Sequence, residues 1–268
     1  MTKTNTLEVA VLQADLVWEN TFENRNQFTK MIDSLSSEVE LIILPEMFTT
    51  GFTMNAEKVA ESMNGDTVLW MQNIAKTKQT AICGSVVIVE RSFDSAQDDK
   101  FFNRLLFVHP SEKVEFYDKR HTFTLAGEHE VYSAGKKKLI VEYKGWKISP
   151  LICYDLRFPV WGRNTENYDL LIYVASWPKP RINAWSSLLK ARAIENMSYT
   201  IGVNRVGKDA NNYEYNGNSA IYDCLGNTVN HFKKETTEPS LFTLDKNYQD
   251  KLRSRFSFLE DKDTFTIE

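Results

Sequence analysis

The chain has 268 residues, 42% of them hydrophobic and 25% charged, a balance that can bury a sizeable core without disulfides or metals. Its 32 Lys and Arg against 36 Asp and Glu give a formal charge of −4, so no general basic surface invites nucleic acid or anionic lipid. No apolar run reaches the ~18 residues of a transmembrane helix, and the three widely spaced cysteines argue against a disulfide framework and for a reducing compartment, the cytoplasm.

In chain order, the short polar start Met1–Thr6 gives way to an apolar run, Leu7–Leu12, which carries Glu8 and reads as a strand, not a signal peptide. Phe28, Met31, Ile32 and Leu35 fall at i, i+3, i+4 and i+7 and predict a helix with one apolar stripe. Glu40–Leu44 is the next strand, and a helix is predicted over Asp66–Lys78 with Asp66 or Thr67 near its start. Strands follow at Ala81–Val89 and Phe101–His109, with the polar interval Arg91–Lys100 as the loop between them. Lys113–Tyr117, Leu139–Glu142, Trp146–Ile152 and Leu170–Ala175 continue the strand pattern up to a third helix, where Trp185, Leu188, Leu189 and Ala193 share a face. The last strands are Tyr199–Val203, Ser219–Tyr222 and Leu241–Leu244. No repeat and no Pro/Gly/Ser linker divides the chain, so residues 1–268 read as a single domain. Many strands with few helices suggest two sheets flanked by helices, although periodicity leaves a single mixed sheet equally open.

The segment Ile148–Pro159 carries the sharpest chemical signal. A buried strand runs into Cys153 and a helical turn follows it. Free N–H groups and the positive end of that turn would favour a thiolate, the attacking species, and the N–H after the nucleophile could hold an oxyanion. The other reading is a buried, inert cysteine. Cys83, in mid-strand, and Cys224, in a hairpin turn, are read that way. Glu46 stands after Pro45, where a fully apolar strand stops, and is the candidate general base. Lys119, at another strand exit, is either a fixed cation over a tetrahedral intermediate or part of a solvated cluster. Glu128 either anchors that lysine or is plain loop charge. Among His109, His121, His129 and His231, His121 is near enough to Lys119 in sequence to raise a Cys–His hydrolase as a rival. His129-Glu130 opens like a zinc helix motif, but the second histidine is missing and no C-x-x-C occurs.

Glu46 after Leu-Pro, Lys119 after Tyr-Asp and Cys153 in Cys-Tyr-Asp-Leu-Arg-Phe-Pro, in that order, resemble the Glu–Lys–Cys triad of the nitrilase, or carbon–nitrogen hydrolase, superfamily. The similarity runs from about residue 7 to about residue 244 and leaves 245–268 as a C-terminal extension. Six flanking segments, at 45–52, 117–121, 153–161, 176–181, 191–196 and 204–207, further resemble the omega-amidases, which hydrolyse 2-oxoglutaramate and related monoamides of 2-oxo-dicarboxylic acids such as 2-oxosuccinamate. The resemblance implies an α/β (α+β) fold, a four-layer αββα sandwich of two mixed sheets, assembled as homodimers and needing no metal or organic cofactor. It makes Glu128 a second active-site glutamate, and it implies a Cys153 thioester with Lys119 and the N–H of Tyr154 holding the oxyanion. Nitrilase, carbamoylase and acyltransferase members share the triad, so only the flanks favour amide hydrolysis. A 2-oxo-acid amide brings a carboxylate, for which Arg181 and Lys179 beside Trp177 are the candidate donors. Arg157 is a rival donor, although an arginine four residues past the nucleophile is more often a structural ion-pair partner, and Arg192 with Glu195 reads as an i, i+3 helix pair. Phe52, Met47 and Trp177 are candidate pocket walls.

Overall fold

In the computed structural model, which describes residues 5–92, 98–231 and 235–267, the two-sheet reading holds and the single mixed sheet does not. The first half of the chain supplies β1 (Thr6–Val11), α1 (Thr21–Asp33), β2 (Leu41–Ile43), α2 (Ala56–Val59), α3 (Asp66–Lys78), β3 (Ala81–Glu90), β4 (Lys100–Val108), β5 (Val114–Asp118) and α4 (Glu128–Val131). The second half supplies β6 (Val141–Tyr143), β7 (Trp146–Ile152), α5 (Pro159–Gly162), β8 (Leu170–Ala175), α6 (Ile182–Asn196), β9 (Tyr199–Asn204), β10 (Val206–Lys208), β11 (Glu214–Asn216), β12 (Ala220–Tyr222), β13 (Thr228–His231), β14 (Ser240–Asp245) and α7 (Lys246–Phe256). One six-stranded sheet has the order β14-β1-β2-β3-β4-β5, the other β13-β12-β9-β8-β7-β6, and β10 with β11 forms a separate ribbon. Both large sheets mix parallel and antiparallel pairs.

Strand alternation sorts the side chains into layers. From β1, Leu7, Val9 and Val11 enter a core shared by the two sheets, while Ala10 lies on the opposite face with Phe28 and Ile32 of α1 and Val68, Met71 and Ala75 of α3. The other sheet meets that shared core through Ile148 and Ile152 and is covered outside by Trp185, Leu189 and Ala193 of α6. The layers therefore run α, β, β, α. β8, Leu170–Ala175, is buried at every position because it lies in parallel between β7 and β9 with both faces covered.

The helix ends follow local chemistry. Asn20 accepts from the Glu23 N–H to cap α1. α3 carries Asp66 in its first turn and Lys76 and Lys78 in its last, in keeping with the helix dipole. Leu35 lies beyond the end of α1 but still packs against the same cluster. Cys83 sits in the shared core and Cys224 in the turn before β13, both as expected, and all three cysteines are free. The predicted loop over 91–100 falls between β3 and β4, with Arg91 paired to Asp99 at 2.9 Å; residues 93–97 of it lie outside the described residues. The ribbon β10–β11 and α7 were not foreseen. α7 is tied back by Lys246 and Arg253, which reach Asp169 at 2.7 and 3.0 Å. Among the described residues no helix is long and apolar enough to cross a membrane.

Candidate active site

Glu46 is delivered by the chain leaving β2. Leu44 is bonded to β3, and after Glu46 the backbone turns sharply: Met47 has φ 44° and its N–H donates to the Ser85 hydroxyl at 2.8 Å. Lys119 leaves β5, its N–H bonded to the Asn103 carbonyl of β4 at 3.0 Å. Glu128 opens α4, where its carboxylate also accepts from the Phe123 N–H. Cys153 directly follows β7 in a left-handed conformation, φ 42°, that L-residues adopt only when their surroundings enforce it. The arrangement is a sharp strand-to-helix elbow.

These side chains converge. The Lys119 ammonium donates to Glu46 Oε1 at 2.8 Å and to Glu128 Oε1 and Oε2 at 3.0 and 2.9 Å. Asn103 Nδ2 donates to Glu46 Oε1 at 2.9 Å and to Glu128 Oε1 at 3.2 Å. The Ser176 N–H, from the end of β8, donates to Glu46 Oε2 at 2.8 Å. Cys153 lines the same cavity as Glu46 and Ser176, and its thiol is near enough to both for each to influence its acidity. Glu46 and Glu128 are fully buried and Lys119 all but fully, so the solvated-cluster reading of Lys119 is excluded.

Burial by itself would pull the Lys119 ammonium down, but the charges of Glu128 and Glu46 outweigh it and push the group up, so it stays cationic. Burial, with Glu46 nearby, pushes the Glu128 carboxyl up against the pull of Lys119. Burial also pushes the Cys153 thiol well up, Glu46 adds to this, and Lys119 offsets it only in part. This corrects the expectation of a thiolate favoured by a helix end. The turn after Cys153 is a single short 3₁₀ segment, Cys153–Arg157, with little dipole, and burial dominates. A thiol held up in this way needs a base, and Glu46 is the carboxylate beside it in the cavity.

Asp155 fixes the two halves of this cluster relative to each other. It accepts from the Ile152 N–H at 3.1 Å on its own sheet, and from Tyr117 Oη at 2.8 Å, the His121 N–H at 3.0 Å and His121 Nδ1 at 2.8 Å on the other. Tyr117 and His121 flank Lys119, so one buried carboxylate ties the cysteine elbow to the lysine segment.

Glu46, Lys119 and Cys153 floor a cavity of about 510 Å³. Phe52, Phe123, Tyr154, Trp177 and Tyr213 contribute aromatic walls, and Arg157 and Arg181 line it as well. Phe52 places its ring 5.2 Å from the Lys119 ammonium. The Trp177 indole N–H donates to the Arg181 carbonyl at 2.8 Å. The Arg181 guanidinium lies 5.3 Å from the Phe123 ring centroid, and that of Arg157 lies 4.9 Å from Trp177.

Several sequence-based assignments change. Arg157 is no ion-pair partner: it is exposed, faces the cavity over Trp177, and has no carboxylate within ion-pair reach among the described residues. Lys179 pairs with Glu214 at 3.0 Å on the surface and does not line the cavity. Met47 is not a pocket wall but packs behind the site with Val59, Val87 and Tyr132. Arg192 and Glu195 do pair, at 2.9 Å, and Arg192 also donates to the Leu156 carbonyl at 2.7 Å. His109 pairs with Glu115, His121 is engaged by Asp155 and stacked on Phe158, and His129 is exposed; none lines the cavity, and the His231 side chain lies outside the described residues. Asn103 and Ser176 were missed. Asn103 gave a faint signal, an uncharged polar residue within the apolar run 101–109.

The carbon–nitrogen hydrolase family model matches residues 8–253. An omega-amidase, YafV, of Yersinia enterocolitica is 45% identical over 222 residues, 83% of each chain. A 2-oxoglutaramate amidase of Bacillus subtilis is 32% identical over 82% of this chain and 84% of its own. Among solved structures, XC1258 of Xanthomonas campestris, described as a CN-hydrolase superfamily protein with an arsenic adduct in its active site, superposes with a TM-score of 0.93 at 39% identity, covering 98% of this chain and 99% of that one.

Proposed function

Because the chain belongs to the carbon–nitrogen hydrolase family, we propose that it hydrolyses the terminal amide of small 2-oxo-dicarboxylic acid monoamides, 2-oxoglutaramate and 2-oxosuccinamate, to the acid and ammonia. The observation that carries this reading is the buried junction of Glu46, Lys119 and Cys153 at the floor of a cavity that also bears two arginines.

Cys153 attacks the amide carbonyl as Glu46 accepts the thiol proton. The oxyanion of the tetrahedral adduct is held by Lys119 and by the N–H of Tyr154 at the elbow. Glu46 returns the proton to the nitrogen, the C–N bond breaks, and ammonia leaves a thioester on Cys153. Water then attacks that carbonyl, Glu46 takes its proton, and sulfur departs with the proton restored. Glu128 reaches no cavity surface; it holds Lys119 charged and in place. Arg181 receives the substrate carboxylate, with Arg157 beside it as a second donor. Phe52 and Trp177 hold the carbon chain between them.

The chain works as a homodimer in a reducing compartment, the cytoplasm. Its three free thiols, one of them the nucleophile, suit that compartment. The exposed apolar side chains of Val160 and Ile194 are of the kind a dimer face would bury. Light scattering of the purified chain reads the assembly state.

The test of activity is ammonia release from 2-oxoglutaramate beside glutamine, asparagine and a simple nitrile. Turnover of the 2-oxo-acid amide, abolished in Cys153→Ala, is the expected result. Preference for the nitrile or for an α-amino acid would overturn the substrate reading.

A further inference from the structure

We propose that Asn103 is a positioning residue that decides which oxygen of Glu46 takes the thiol proton, reserving Oε2 for it. The inference rests on the reading of Glu46 as general base and adds an atom-level assignment to it.

An ionised carboxylate offers about two acceptor directions on each oxygen. On Glu46 both directions of Oε1 are filled, by Lys119 Nζ at 2.8 Å and Asn103 Nδ2 at 2.9 Å. Among the described residues Oε2 accepts only the Ser176 N–H, at 2.8 Å, which leaves one direction open. The strand pairing brings the sulfur to that side: β7 and β8 are adjacent and parallel, with Ile152 opposite Val174, so Cys153 and the Ser176 N–H that binds Oε2 leave neighbouring strand ends and line the same cavity with Glu46. Proton transfer from sulfur to Oε2 therefore needs no rearrangement of the carboxylate. Without Asn103, Oε1 would regain a free direction and Glu46 could rotate its open acceptor away from the sulfur.

The way Asn103 is held fits this role. It lies in β4, opposite Val87 of β3, and its carbonyl takes the Lys119 N–H, so its backbone is fixed on both sides. Its amide nitrogen faces two carboxylates while its own side-chain oxygen, Oδ1, is buried with no partner among the described residues. An amide that leaves its own oxygen unpaired is oriented by the anions and not by its own needs. The charged and titratable groups facing Glu46 are Lys119 after β5, Glu128 on α4 and Cys153 after β7, with Tyr132 and Tyr215 at longer range. Asn103 is the uncharged member of this set and has no proton of its own to exchange near neutral pH.

The experiment compares wild type, Asn103→Leu and Asn103→Asp, with Glu46→Gln as control. It follows the pH dependence of kcat/KM for amide hydrolysis and, independently of any substrate, of Cys153 alkylation by iodoacetamide, with Cys153→Ala as background. A carboxylate that loses a donor holds its proton more tightly. The acid limb of both profiles should therefore move about one unit to higher pH in Asn103→Leu, and further in Asn103→Asp. KM should stay within about twofold, and activity at neutral pH should fall about 10- to 100-fold and recover in part as pH rises. A purely structural role would lower both rates equally at every pH, and an unmoved limb in a folded variant would overturn the proposal. Should Asn103→Leu fail to fold, the near-isosteric Asn103→Asp carries the test alone. If Glu46→Gln keeps full alkylation and turnover, the base assignment itself has failed; if it is inactive while the Asn103 limbs stand still, only the present inference has.

Discussion

Cys153 shows how much one backbone angle and one neighbour decide. Its φ of 42° turns the sulfur out of the strand line, and burial holds it as a thiol, so the chemistry must begin with proton removal. Cys153→Ala should lose on the order of 10⁴-fold or more in kcat/KM, and Cys153→Ser nearly as much, because Glu46 is then asked to activate a far weaker acid. Residual turnover within tenfold of wild type in a single-turnover assay would remove Cys153 from the mechanism. Glu128 acts at one remove, through Lys119. Glu128→Gln takes away the charge that outweighs the cost of burying the ammonium, so kcat should fall about 10²- to 10³-fold with KM within a few-fold. A rise in KM with kcat intact would instead place Glu128 in substrate binding. For the two arginines the split runs the other way: Arg181→Ala should raise KM for 2-oxoglutaramate about 10- to 100-fold with kcat little changed, the scale of one charge-assisted hydrogen bond. An unaltered KM in Arg181→Ala with a raised one in Arg157→Ala would move the carboxylate onto Arg157. At this scale the sequence is legible where a residue sits at a strand exit beside a turn, as Glu46, Lys119 and Cys153 do. It is silent where a residue acts by pointing sideways within a sheet. Nothing in the local pattern of Asn103 or Asp155 says that each reaches groups from other strands, because those partners lie 25 or more positions away in the chain.

The elements position the site by ending where they do. β2 and β5 of one sheet deliver Glu46 and Lys119, and β7 and β8 of the other deliver Cys153 and Ser176, so four strand exits from two sheets meet at one cavity. Keeping those exits in register falls to Asp155, whose four donors come from both sheets. Asp155→Ala should leave two buried and two part-buried donors without their acceptor and cost about 3–5 kcal/mol, or about 6–15 °C in Tm for a chain of this size. It should also depress kcat, since the elbow loses its tie to the lysine segment. A variant with unchanged Tm by calorimetry would show that the elbow is held by packing alone. Apolar runs predicted the long strands well because those strands are covered on at least one face. They failed for β10 and β11, where Lys208, Glu214 and Asn216 carry no apolar rhythm; Val206 of this ribbon bridges to Asp15 after β1 and Tyr215 lines the cavity. The strand expected at Leu139–Glu142 begins two residues later, at Val141, where pairing with Ile148 of β7 starts; register with a neighbour, not local composition, set its edge.

For the whole molecule, the layering is what periodicity could not give. A strand buried on both faces, such as β8, shows no alternation, so the sequence cannot say whether its second face meets a helix or another sheet. The assembled sandwich answers by burying large side chains on both faces of its sheets, and several of these carry ionisable phenols. Burial pushes Tyr143 and Tyr199 up to about 12 and raises Tyr117, Tyr168 and Tyr173 as well. Because the folded values lie above the ordinary one near 10, the stability these groups contribute is complete below that pH and is lost as pH rises toward the folded values. Each phenol that must stay protonated costs up to about 1.4 kcal/mol per pH unit in this window, so several such groups together erode a large part of the net stability of an ordinary domain. Lys119, raised by Glu128 and Glu46, has the same sign and sharpens the fall. The Tm should hold level up to about pH 9.5 and drop steeply between pH 10 and 12, with tyrosinate absorbance appearing together with the loss of circular dichroism. Phenols that ionise gradually from pH 10 while the fold stays intact would mean that water reaches the core, and the junction of Glu46, Lys119 and Cys153 would then lose the dry surroundings its chemistry depends on.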